Sequence, residues 1–300
     1  MVSSVFINLF LASIQPRSFF LPCSSIILGS TLAAFYGVTD GALFSSLLML
    51  TILAQMCINL SQDYQRAFVR SDSAANHEQN AIKVKVSRQM LILMLSCFLI
   101  FTLALIAVVH VNLPGNLLAF SMALIGCALL LMAIRVNTRI QNSSGTMPSI
   151  GGLFLHVVCI AILPITLSFY LHTAQLNITI AMIALNAALL SCLSPFSQQL
   201  ITNIQTEGSV SMENLPKSIS QLLTIQTVIL VSTSIVSLMN IYFLDLPIST
   251  VIFIFALPSM AATIATVKHI PEVDIAQAQK TKITLAAFAY WVLFCAGIMF

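Results

Sequence analysis

The chain has 300 residues, of which 59% are hydrophobic and only 7% charged, with a mean hydropathy of +1.01 and a formal net charge of +3. That balance excludes a soluble globular protein. It also excludes a nucleic-acid binder, because the few cations are spread along the chain with no dense basic patch and no interleaved aromatics.

The first apolar stretch, Val2 to Ile14, has no basic segment ahead of it and no small-residue cleavage site. It therefore reads as an amphipathic helix lying in the membrane interface and ending at Pro16, not as a cleaved signal. Nine apolar spans follow, over 18–37, 41–60, 89–109, 117–134, 150–171, 179–194, 219–240, 246–266 and 283–300. Each is close to the ~20 residues that carry a helix across a hydrocarbon layer ~30 Å thick. A closed β-barrel would show short alternating segments, so these continuous runs predict an all-α polytopic helical bundle, one membrane-embedded domain over 1–300. Pro195 is expected to interrupt the sixth span, and Pro164 and Pro258 to kink the fifth and eighth.

The positive charges give the orientation. All 12 Lys and Arg residues fall at the N-terminus or in even-numbered connections, while the odd-numbered ones, around Asp40, 110–116, 172–178 and Asp245, carry none. The positive-inside rule then puts the N-terminus and the long loops in the cytoplasm and the C-terminus outside. With no targeting segment in view, a bacterial inner membrane is the expected location, and contact with anionic lipid headgroups accounts for the spread of the cations.

The seven cysteines are scattered with no pair at metal-ligand spacing, and read as small packing residues. His156, inside the fifth span, is an intramembrane ionisable group and so a functional candidate, although a satisfied core histidine is the commoner case. His110 and His172 fall at the outer interface. No Gly-rich phosphate loop, Ser/His/Asp arrangement or zinc motif is present.

Polar residues gather in two long cytoplasmic connections, 59–88 and 195–217. Both are expected to begin as helical continuations of the preceding span. Asn59, Asp63 and Arg66 would share one helix face after the second span, and Gln198, Thr202 and Gln205 one face after the sixth. Two such stripes predict two walls of a single pocket beneath the cytoplasmic headgroups. The plainer alternative is a pair of solvated helix ends, with Asp63 paired to a basic neighbour.

The stretch Pro16-Arg17-Ser18-Phe19-Phe20-Leu21-Pro22, followed by IILGSTLAAFYG, and the stretch AQMCINLSQDYQRAFVRSD resemble the UbiA superfamily of membrane prenyltransferases. Within it they are most similar to the 1,4-dihydroxy-2-naphthoate polyprenyltransferase branch. The resemblance runs in span order along nearly the whole chain and is sharp around 16–37 and 54–90. It implies nine transmembrane helices, a cytoplasmic active site, and transfer of a prenyl group from a prenyl diphosphate to an aromatic, quinone-precursor-like acceptor. It also implies Mg²⁺ on two Asp-rich motifs, which here would be held by Asp63 and Asn59 with Glu207. Arg66, Arg70, Lys83 and Lys85 would face the diphosphate. Two departures stand in the residues themselves: Arg66 occupies the place of a metal-binding Asp, and the second motif falls on Thr202 and Thr206. The alternative is therefore a non-catalytic isoprenoid- or quinone-binding membrane protein or complex subunit on the same scaffold.

Overall fold

The structure, a computed structural model, describes residues 15–68, 77–140, 148–207, 216–269 and 272–300, except for the side chains at 65–68, 77–85, 135–140, 207 and 269. Among these residues there is no strand. A 3-10 turn at Pro16–Ser18 leads into α1 (Phe20–Phe35), α2 (Gly41–Phe68), α3 (His77–Asn112) and α4 (Leu117–Ile140). The fifth crossing is composite: α5 (Ile150–Val157), a π-helical turn (Val158–Ile162) and α6 (Leu163–Thr173). Then come α7 (Ile178–Ser191), α8 (Leu193–Glu207), α9 (Lys217–Phe243), a 3-10 segment (Ile248–Ala256), α10 (Leu257–His269) and α11 (Val273–Met299).

Among the described residues, nine helical stretches are long and apolar enough to cross a membrane, in the order read from the sequence. The chain is an integral membrane protein. Its outward faces show why: on α3, Ile92, Leu95, Leu99 and Leu103 recur at three- and four-residue spacing and are each between 55 and 59% exposed. An apolar stripe of that kind suits lipid and not water. The turns at the cation-free end are fixed by side chains. Asp40 Oδ1 accepts from the amides of Ala42 and Leu43, Asn116 Oδ1 from Ala119, and Asn177 Oδ1 from Ile180, each capping the helix that follows.

The prolines shape three crossings. Pro164 has no amide hydrogen for the carbonyl of Ile160, and the helix widens into the π turn just before it. Pro258 sits at the second position of α10, immediately after the 3-10 segment. Pro195 interrupts the sixth crossing as expected: α7 ends at Ser191, a turn at Cys192 follows, and Pro195 lies in the first turn of α8, which carries the crossing on to Thr206.

Two hydrophobic clusters organise the interior. One joins α2, α3 and α4 with Leu167, Tyr170 and Leu171 of α6. The other joins α7 to α11 with the π turn and one face of α1. Helix α1 lies between them, packing on α2, α6 and α11. Gly29 permits the close approach of α1 to α6, since a β-carbon there would stand 2.6 Å from the Ile165 carbonyl oxygen.

Candidate functional site

Where the two clusters meet, a cavity of about 480 Å³ with both polar and apolar walls opens between α1, α2, α5, α8 and α11. Helix periodicity explains the walls. Gln55, Ile58 and Gln62 are one face of α2, and Lys280, Thr281 and Thr284 one face of α11. Arg17 and Ser18 come from the 3-10 turn, Ser194 from the start of α8, and His156 and Cys159 from the fifth crossing.

Beside this cavity lies an apolar slot of about 90 Å³. The two share Pro22, Gln55, Ile58, Cys159 and Ile160. The slot's own walls are Ile26, Leu47 and Leu50, Phe101 and Leu105 of α3, and Leu130 of α4. A chamber with hydrogen-bonding groups in its walls thus adjoins a greasy one, an arrangement suited to a polar head carrying an apolar tail.

The polar residues around the chamber are held in place. Asn59, only 2% exposed, donates through Nδ2 to Ser18 Oγ at 2.8 Å and accepts from Gln55 Nε2 at 3.0 Å. It ties α2 to the turn that carries Arg17. The Lys280 ammonium donates to Gln198 Oε1 at 2.6 Å, joining α11 to α8. The ring of His156 lies beside the Ser191 carbonyl and within the field of Lys280.

The residues expected from the sequence fall as follows. Asn59 stands behind the cavity wall, and Asp63 is half-buried one position beyond the lining residue Gln62, itself off the wall. Arg66, Lys83, Lys85 and Glu207 belong to described helices, but their side chains lie outside the described residues, and Arg70 lies outside them altogether. The second and sixth crossings both reach the cavity, though unequally. Helix α2 contributes a full face, whereas α8 contributes Ser194 to the wall and Gln198 through its bond to Lys280; Thr202 and Gln205 do not line it.

Magnesium requires several hard oxygen ligands in near-octahedral array. Among the described residues, no group of three or more acidic, His or Cys side chains is placed to hold a metal, and no carboxylate lines the cavity. The side-chain oxygen of Asn59 is already engaged by Gln55. The described residues by themselves do not supply the ligands of a two-ion magnesium centre, and the side chain of Glu207 lies outside them.

Sequence reading missed Arg17 and Lys280 as site residues. Arg17 carried a signal, since it belongs to the first-helix stretch quoted above. Lys280 carried none: its partner Gln198 is 82 positions away, and a lone lysine at a helix end reads as a topogenic charge.

No protein-family model matches the chain, and no curated protein matches it in sequence. Among solved structures it is similar to a digeranylgeranylglyceryl phosphate synthase studied in membranes, with a TM-score of 0.58 and 12% identity. That similarity covers 98% of this chain and 99% of the other. At such identity the likeness is one of fold, and it extends over nearly the full length of both chains.

Proposed function

We propose that this chain is a UbiA-type isoprenoid-handling protein that takes a prenyl diphosphate and transfers its prenyl group to an aromatic, quinone-precursor-like acceptor. The observation that carries the reading is the adjacency of a chamber with polar walls and an apolar slot, which have five wall residues in common. The quoted motifs and the whole-chain likeness of fold support it.

The chemistry asks three things of such a site. The C1–O bond of the prenyl diphosphate breaks, and its electron pair leaves with the diphosphate, which needs positive charge or hydrogen-bond donors at that end. The allylic cation must be shielded from water, which the apolar slot does by exclusion. An aromatic carbon then attacks C1 to form a C–C bond, and the ring proton passes to a base or to water. By the charge distribution, the chamber would open on the cytoplasmic side of the membrane.

A second reading has a specific observation in its favour. With no carboxylate on the cavity wall among the described residues, the scaffold could bind an isoprenoid or quinone without turning it over. Incubation of the purified chain with radiolabelled farnesyl diphosphate, Mg²⁺ and a panel of aromatic acceptors separates the two. Labelled product that is lost on Asp63→Ala supports catalysis with Asp63 in the machinery. Retained prenyl or quinone binding with no product under any metal supports the binding protein.

A further inference from the structure

Of the five residues that chamber and slot have in common, Gln55 alone carries a strong hydrogen-bonding side chain; the others are Pro22, Ile58, Cys159 and Ile160. Gln55 is 8% exposed, so a buried amide stands at the boundary between the two spaces. A chain of hydrogen bonds fixes which end of that amide is offered. Ser18 Oγ gives its one proton to the Gln15 carbonyl at 2.9 Å, and can therefore only accept from Asn59, at 2.8 Å. Asn59 thus turns Nδ2 to Ser18 and Oδ1 to Gln55, which donates to it through Nε2 at 3.0 Å. Turning the Gln55 amide over would set two carbonyl oxygens against each other, and reversing the whole chain would cost the Ser18–Gln15 bond. Gln55 Oε1 is left over. It accepts no hydrogen bond among the described residues and is not sealed from approach.

We infer that Gln55 is a specificity-determining residue: its Oε1 accepts a hydrogen bond from a phenolic hydroxyl of the aromatic acceptor, and so holds the ring at the boundary of chamber and slot. The inference rests on the transferase reading above and deepens it, by naming the group on the acceptor that is recognised and the residue that recognises it. The boundary is where a polar head meets an apolar tail, so a ring held there lies beside C1 of the prenyl chain. In a site of low dielectric an acceptor left without its donor is costly, and a ligand that supplies the proton is favoured over one that cannot. A phenol donates more strongly than an alkanol. A phenol that donates also gains electron density on its oxygen, which the ring shares at the carbons ortho and para to it. Gln55 itself takes up no proton; it orients and selects. An oxidised quinone ring presents carbonyl acceptors and no hydroxyl donor, so the site favours the reduced ring. The primary hydroxyl of a prenyl alcohol is the other source of the same donor chemistry.

The test uses the full chain in phosphatidylcholine nanodiscs under anaerobic reducing conditions, with binding measured over empty nanodiscs. One pair of probes is naphthohydroquinone and its dimethyl ether; the other is farnesol and its methyl ether. The hydroquinone is expected to bind roughly 10- to 100-fold more tightly than its ether. Gln55→Met, which keeps the length of the side chain and removes the acceptor, should bring the two within about 3-fold of each other by weakening the hydroquinone alone. Asn59 stands behind the wall, and Asn59→Leu should also narrow the preference, because the freed amide can then turn its N–H groups to the ligand. A purely structural role for the Gln55–Asn59 bond would lower stability in both variants without moving that ratio. Equal binding of hydroquinone and ether to the unmodified chain, or a preference that survives Gln55→Met, overturns the inference and leaves the isoprenoid reading intact. A preference confined to the farnesol pair assigns the hydroxyl to the prenyl chain and rejects the aromatic assignment. Failure of all four probes to bind overturns the isoprenoid reading itself. Should Gln55→Met fail to fold, the ratio on the unmodified chain and its change in Asn59→Leu decide.

Discussion

The hydroxyl of Ser25 on α1 donates to the backbone carbonyl of Ile160, across the interface, at 2.6 Å. This is the carbonyl that Pro164, four residues on, has no amide to satisfy. The break in the fifth crossing is therefore closed from a neighbouring helix, and the π turn it permits carries Cys159 and Ile160 into the walls of both the chamber and the slot. One proline thus shapes the boundary between the two, and one serine makes it tolerable in a membrane interior.

Ser25→Ala leaves a buried carbonyl without its partner and is expected to destabilise the protein by about 1–3 kcal/mol. Pro164→Ala should act in the opposite sense on the helix, supplying an N–H to Ile160 and straightening the π turn. Thermal unfolding in detergent is expected to show the first variant below the parent. The second is expected to be no less stable and yet to bind prenyl ligands more weakly.

Asn59 makes a prediction that separates scaffold from metal ligand. If its work is to tie α2 to the turn carrying Arg17, Asn59→Ala and Ser18→Ala remove the same hydrogen bond. The double variant should then lose clearly less stability than the sum of the singles, each of which costs about 1–2 kcal/mol. The losses should be equal in EDTA and in Mg²⁺.

The slot should receive the prenyl tail. Ala54 lines it from α2. Ala54→Phe would fill most of the space between its walls, so farnesyl ligands are expected to bind ~10-fold or more weakly. Unchanged binding would mean that the tail lies elsewhere.

Close packing of α1 on α6 depends on the absence of a side chain at Gly29, where a β-carbon would also come within 2.9 Å of Ser168 Cβ. Gly29→Ala should cost about 1–3 kcal/mol through displacement of the helices, as overpacking does elsewhere. Circular dichroism would show helix content kept and the unfolding midpoint lowered.

How much of this was legible in the sequence depends on the range of the interaction. The spans are local features, written as continuous apolar runs, and the structure keeps their number and order among the described residues. The helical extension of α2 beyond its apolar part was also legible from the spacing of its polar residues. Proline effects were legible as interruptions but not in kind, because a proline that opens a new helix after a turn, such as Pro195, and one that follows a π turn, such as Pro164, look alike in sequence. The nine-residue 3-10 segment ahead of Pro258 had no local signal. At the site, Gln55 and Gln62 could be placed on the second crossing, but their facing partners from α5 and α11 could not. The bond between Gln198 and Lys280 joins residues 82 positions apart, and that between Ser25 and Ile160 residues 135 apart. Such pairings are decided by packing, not by periodicity.

The most direct measurement is photo-crosslinking with a farnesyl diphosphate analogue that carries a diazirine at the far end of its tail, followed by peptide mapping. Label should appear on the slot walls, in the Leu47–Ile58 stretch of α2 and around Leu163–Leu167 of α6, and excess unlabelled farnesyl diphosphate should suppress it. Label confined to the lipid-facing stripe of α3 at Ile92–Leu103, and indifferent to competition, would show that no isoprenoid tail enters the bundle.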